Sequence, residues 1–114
     1  SGGTRQKVSA CLAFLFKPDI LILDEPTAGL DPLASELLKD KILKERNNGK
    51  LILITSHVLR DLDEITSHVV YLQDGTLVFS KAVEELKMAT GEQKLNKVIA
   101  TIMQKDFIDQ HFSV

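Results

Sequence analysis

Two short, unbroken aliphatic runs, Ile20-Leu21-Ile22-Leu23 and Leu51-Ile52-Leu53-Ile54, constrain this chain more than any other feature. Each is too short for a helix, and neither alternates with polar residues. Each therefore reads as a strand covered on both faces, as strands of a parallel sheet are. Between them lies a helix signal. Asp31 is placed to cap it and Pro32 to occupy its first position. Leu33, Leu37, Leu38 and Ile42 offer a buried stripe, and Asn47-Asn48-Gly49 stop it. Strand, helix and strand in this order predict a parallel pair, so both strands end at the same edge of the sheet. Those ends read Asp24-Glu25-Pro26 and Thr55-Ser56-His57.

The flanking sequence fills in the layers. Val8, Cys11, Leu12, Leu15 and Phe16 recur at helical spacing within Thr4–Phe16, and Lys17-Pro18-Asp19 end that helix. Cys11 reads there as a small buried apolar residue. A short helix is expected around Leu59 to Ile65. Val69–Leu72 and Leu77–Phe79 flank Gln73-Asp74-Gly75-Thr76, a strong hairpin signal. Ser80 is expected to cap a helix running to Met88. After Thr90-Gly91, residues Leu95, Val98, Ile99, Ile102 and Met103 predict a last helix from about Gln93 to Lys105. Together these features give an α/β layered fold with buried parallel strands and a late antiparallel hairpin.

Composition excludes some functions. At 114 residues the chain is one domain at most, and its formal net charge of −2 leaves no basic stripe for nucleic acid. The aliphatic runs are far too short to span a bilayer. A single cysteine forms no internal disulfide, which suits a reducing compartment.

Three elements carry chemistry. Asp24 and Glu25 sit at the strand end, where open α/β sheets place ligands, and buried carboxylates there need a cation or donors. A magnesium–phosphate site supplies both: one acid holds Mg²⁺ while its neighbour positions the attacking water. The alternative is an acidic turn that merely caps a strand. Pro26 is expected to push Glu25 toward extended backbone. Ser1-Gly2-Gly3-Thr4, ahead of a helix, offers unpaired amides, close backbone access and partial positive charge to a phosphate, or simply caps the helix. His57, at the second strand end, is placed to bond a phosphate or water, or is a satisfied structural histidine. His68 and His111 have no such companions and read as structural.

In their order and spacing, "SGGTRQ", "LILDEPTAGLD" and "LITSH" resemble the ATP-binding subunits of ABC transporters, over roughly residues 1–88. The resemblance implies a partial P-loop NTPase, RecA-like fold. Ser1-Gly2-Gly3-Thr4-Arg5-Gln6 is similar to the family's signature, without its usual leading leucine. Ser1, Gly2, Gly3 and Gln6 would then bind nucleotide in trans. Thr4 departs from the longer side chain usual there, which puts a ribose contact in doubt. Asp24 would hold Mg²⁺ through water, and Glu25 would be the catalytic glutamate. Ala28-Gly29-Leu30-Asp31 resembles the D-loop, with Asp31 at the subunit interface, and His57 resembles the switch histidine.

The resemblance also sets expectations for the whole protein. No G-x-x-x-x-G-K-[ST] occurs in the 114 residues. Residues 1–91 are therefore expected to be the C-terminal part of a nucleotide-binding domain, with 92–114 a helical extension. ATP and Mg²⁺ are the implied cofactors. The implied partners are a second nucleotide-binding domain, identical or not, and transmembrane permease subunits; nucleic acid is not among them. The implied location is cytoplasmic, peripheral on the inner face of the membrane. These residues alone are expected to lack ATPase activity, and an unpaired apolar strand edge is expected to favour self-pairing. "AGLDP" and the bulky apolar helix are similar to a bacterial export and maturation branch that includes ATPases of copper-related and nitrous-oxide-reductase maturation systems. The alternatives are a non-transport ABC ATPase acting on a soluble partner, and a regulatory module without a P-loop.

Overall fold

The computed structural model describes residues 2–104 and 109. By its internal packing the chain divides between Asp61 and Leu62 into two compact units. The first contains α1 (Gly2–Leu15), β1 (Ile20–Asp24), α2 (Pro32–Asn47) and β2 (Leu51–Thr55). A 3-10 turn, Leu59–Leu62, spans the division.

β1 and β2 pair in parallel, in register from Ile20 opposite Leu51 to Asp24 opposite Thr55. α2 is the crossover that a parallel pair requires. Asp31 caps it as expected: its Oδ1 accepts a hydrogen bond from the Ala34 N–H at 2.8 Å, with Pro32 in the first turn. Gly49, at φ +84°, follows the Asn48 C-cap and supplies the left-handed residue that turns the chain into β2.

The strands are not covered on both faces. Leu21 and Leu23 are buried, whereas Ile22 is 71% exposed, and Ile20, Leu51 and Leu53 are exposed too. Strand side chains alternate, so a sheet covered on one side leaves every second residue in solvent. The helices behave likewise. Leu38 and Ile42 of the expected α2 stripe are buried, but Leu33 and Leu37 are exposed. On α1 the stripe of Val8, Cys11, Leu12 and Leu15 faces solvent, and so does Phe16 just beyond it. Cys11 is thus an exposed thiol, not a core residue. Helical spacing identified an apolar face correctly, but the described residues place nothing over it. Between α1 and α2, side chains including Ala10, Cys11, Phe14, Leu33 and Leu37 line an apolar cavity of about 720 Å³.

The second unit contains β3 (His68–Gln73), β4 (Thr76–Ala82), α3 (Val83–Thr90) and α4 (Leu95–Ile102). β3 and β4 form the expected hairpin, with Asp74 and Gly75 at φ +52° and +76°, as a type I′ turn requires. Tyr71 and Phe79 stack across it at 5.3 Å. Ser80 does not cap a helix: it lies within β4, and its hydroxyl bonds the Nε2 of His68 at 3.0 Å. Pairing continues to Ala82 opposite His68, so the helix starts only at Val83. Leu86, Leu95, Val98 and Ile102 are fully buried and centre this unit's core, while Met103 is exposed. The α4 helix runs from Leu95 to Ile102, with Met103 as its C-cap, and so is shorter at both ends than the expected Gln93 to Lys105. Lys105 and His111 themselves lie outside the described residues. No helix among the described residues is long and apolar enough to cross a membrane.

Candidate functional site

Asp24 and Thr55 close the parallel ladder side by side, and the Thr55 hydroxyl donates to Asp24 Oδ1. Asp24 is exposed, so water screens its charge and burial does not force a cation upon it. The pairing runs one residue past β1, where the Glu25 N–H donates to the Thr55 carbonyl at 2.8 Å.

There the backbone departs from expectation. Glu25 adopts φ +49°, not the extended conformation that Pro26 favours locally. A non-glycine residue in a sparsely populated backbone region costs about 1–3 kcal/mol and persists only where its surroundings over-determine it. Those surroundings are present. Its N–H is held by Thr55, and its carbonyl accepts from the Ala28 N–H at 3.1 Å and from Gln6 Nε2 at 3.0 Å. The same Gln6 nitrogen donates to the Pro26 carbonyl at 2.8 Å. The strain delivers the side chain: Glu25 Oε1 accepts from the His57 N–H at 3.1 Å and meets His57 Nδ1 at 2.6 Å. A carboxylate only accepts, so Nδ1 carries the proton and Nε2 becomes the ring's other working nitrogen. The imidazole is 83% exposed and the carboxylate about a third, so water reaches both.

The next residues form a tight loop. The Leu30 N–H donates to the Thr27 carbonyl at 3.2 Å, and the buried Thr27 hydroxyl donates to Asp61 Oδ2 at 3.1 Å. Gly3 packs directly on this loop. A Cβ at Gly3 would lie 2.8 Å from the Gly29 carbonyl oxygen, so only glycine fits without movement. Lys7 Nζ pairs with Asp31 Oδ2 at 3.3 Å. The Ala34 N–H, followed by Lys7, holds the Asp31 carboxyl below its ordinary pKa.

The sequence-predicted residues thus fall into two connected groups. Asp24, Glu25 and His57 meet at the sheet edge. Gly3 and Gln6 lie on one face of α1, against the loop that leads from Glu25 to Asp31, with Gly2 in the same first turn. Ser1 lies outside the described residues. Asp31 sits at the α2 cap, tied to Lys7. Sequence reading missed Thr55, Lys7, Thr27 and Asp61 as partners. Two had a signal: five-residue strands aligned end to end put Asp24 opposite Thr55, and Lys7 follows Gly3 by four residues on the same helix face.

Among the described residues, no group of three or more His, Cys, Asp or Glu side chains comes together to hold a metal. Asp24 beside the Thr55 hydroxyl nevertheless suits Mg²⁺, which keeps several waters and takes one or two protein carboxylates together with substrate phosphates. The arrangement can orient water against a carboxylate–imidazole pair, at the strand ends where α/β sheets bind ligands.

No protein-family model matches the chain. Individual proteins do. It is 38% identical over 95 residues to an uncharacterised ABC transporter ATP-binding protein, YhaQ, of Bacillus subtilis, covering 83% of this chain and 32% of that protein. It is 32% identical over 98 residues to the ABC transporter ATP-binding protein NatA of the same species, covering 86% of this chain and 40% of NatA. Among solved structures, an ATP-binding subunit of an ABC transporter superposes with a TM-score of 0.81 at 28% identity, over 91% of this chain and 44% of that one. A nucleotide-free ATP-binding cassette at 23% identity superposes with a TM-score of 0.67 over 87% of this chain and 40% of that one, a likeness of fold. The chain spans about a third of the length of the first bacterial relatives it matches.

Proposed function

We propose that this chain, whose homologues and structural neighbours are ATP-binding subunits of ABC transporters, carries the hydrolytic edge of such a subunit within a longer ATPase that drives transport. The observation that supports this most is the Glu25–His57 pair, set beside Asp24 at the ends of two parallel strands. When bound, Mg–ATP supplies an electrophilic γ-phosphorus and an ADP leaving group.

Each residue has a task. Glu25 orients the attacking water through its carboxylate and takes up the proton as the oxygen bonds phosphorus. His57, with Nδ1 held by Glu25, turns Nε2 toward a phosphate oxygen or that water. Asp24 would hold Mg²⁺ through water, and the ion would neutralise charge developing on the phosphates. Ser1, Gly2 and Gly3 close over the γ-phosphate of a nucleotide seated on a second nucleotide-binding domain, with Asp31 at the interface. In this reading residues 1–91 belong to the nucleotide-binding domain and 92–114 extend it. The partners are that second domain and transmembrane subunits at the inner face of the membrane. The names of relatives mention phospholipid transport and fluoroquinolone export, so this shared segment does not specify cargo.

The test compares the full-length protein, its Glu25→Gln variant and the 114-residue chain. Phosphate release should fall at least ~100-fold in the variant, with ATP still bound, and be at background for the 114-residue chain. Turnover unchanged in Glu25→Gln would refute the reading.

A further inference from the structure

We propose that Gln6 is a positioning residue: from the face of α1 its amide holds the Glu25–Pro26 backbone in the conformation that delivers the Glu25 carboxylate to His57. The inference rests on the ATPase reading and gives Gln6 a task within its own chain, distinct from a nucleotide contact in trans.

Two consecutive carbonyls, of Glu25 and Pro26, receive the same Gln6 nitrogen at 3.0 and 2.8 Å. Extended backbone points successive carbonyls to opposite sides. Bringing both round to one donor takes a turn, and the Ala28 N–H bond to the Glu25 carbonyl closes one with Pro26 at its second position, while φ +49° at Glu25 turns that loop away from the strand direction. A primary amide suits the task because its NH₂ carries two protons, one for each carbonyl. Pro26 is buried and has no N–H with which to anchor the turn itself. Without Gln6, the Pro26 carbonyl would lose its donor beside a buried ring, and Glu25 would lose a restraint holding a strained backbone. The fixed backbone in turn aims the side chain, whose Oε1 is gripped twice by His57. Gly3, three residues before Gln6, lets α1 approach this loop closely enough for the amide to reach.

The test uses the full-length protein as wild type, Gln6→Ala, Gln6→Met and Gln6→Glu, with Val8→Ala, an exposed α1 position, as control. Met keeps the side-chain length without a donor, and circular dichroism with thermal melting establishes that each variant is folded. Expected are kcat losses of ~10–100-fold for Ala and Met, with KM for ATP and ATP-driven dimerisation within ~3-fold of wild type. Gln6→Glu sets acceptor against acceptors when ionised, but donates to a carbonyl when protonated. Its activity relative to wild type should therefore rise as pH falls from about 8 to about 6. Taking the ratio removes any pH dependence that the two proteins share. Without nucleotide, the hydrogen-bonded His57 Nδ1 proton, read by NMR, should weaken or shift in Gln6→Met and persist in Val8→Ala.

Unchanged kcat in folded Ala and Met variants would overturn the proposal. So would raised KM with kcat intact, which marks a nucleotide contact, or an unmoved His57 signal. An inactive wild type would count against the ATPase reading alone, because the NMR signal still decides the role of Gln6.

Discussion

The two units of this chain solve different problems. Beyond residue 61, Leu86, Leu95, Val98 and Ile102 are fully buried, and Phe79, Val83 and Ile65 are buried too. Before it, Leu21, Leu23, Pro26, Leu38 and Ile42 are buried among the described apolar side chains, while Ile22, Leu33, Leu37 and Phe16 stand in solvent. The chemistry is distributed the other way. Glu25, His57, Asp24 and Gln6 all belong to the sparsely buried unit, whereas the well-packed unit offers His68 bonded to Ser80 across a hairpin. The edge to which we assign catalysis is built by hydrogen bonds at the rim of a half-covered sheet, not by a core around it. We read the uncovered faces as the surface that the remainder of a protein of its relatives' length would cover, since the chain spans about a third of them.

Substitutions in each unit sharpen the contrast. The largest effect is expected for His57→Ala in the full-length protein. Turnover should fall ~10²–10⁴-fold while stability stays within ~0.5 kcal/mol, because the ring is exposed. A large loss of stability would mean that chemistry and packing are not separated here. Next comes Leu86→Ala, expected to cost ~2–5 kcal/mol by denaturant melting with turnover affected only through folding. Its counterpart Leu37→Ala, made in the 114-residue chain, should cost no more than ~0.5 kcal/mol. In the full-length protein Leu37→Ala should cost more, if the apolar face is covered there.

Gly3→Ala tests the close approach of α1 to the loop at Gly29. The added Cβ should cost ~1–3 kcal/mol and lower turnover by displacing Gln6. The smallest effect is expected at Asp31. Its carboxyl lies below its ordinary pKa when folded, so its stabilising contribution is fully present above that ordinary value and is lost as pH falls through the folded one. Asp31→Ala should therefore lower the melting temperature slightly near neutral pH and by less in strong acid, where the neutral carboxyl keeps its cap bond to the Ala34 N–H but not its charge.

Local chemistry made much of this legible. Ile20–Leu23 and Leu51–Ile54 specified a parallel pair, Asp31-Pro32 a helix start and Asp74-Gly75 a hairpin, because each signal acts within a few residues. The failures are long-range. Val8, Cys11, Leu33 and Leu37 have the spacing of a buried face, but spacing cannot report whether anything packs against it. Ser80 has the chemistry of a cap, yet ladder pairing with the other strand carried it into β4. Glu25 should be extended by its local sequence. Gln6 and Thr55, 19 and 30 residues away, decide otherwise by bonding its carbonyl and its N–H. The candidate residues were readable, but the backbone that aims them was not.

The central claim is that this chain gives its carboxylate–histidine pair to one nucleotide and its glycines to another. Linked dimers of the full-length protein test it most directly, with Glu25→Gln and Gly2→Asp placed on opposite subunits or on the same one. On opposite subunits both changes fall in a single site, and the other site should keep hydrolysing ATP. On one subunit they damage both sites, and turnover should vanish. The reverse result, activity with both changes on one subunit and none with them apart, would contradict the account.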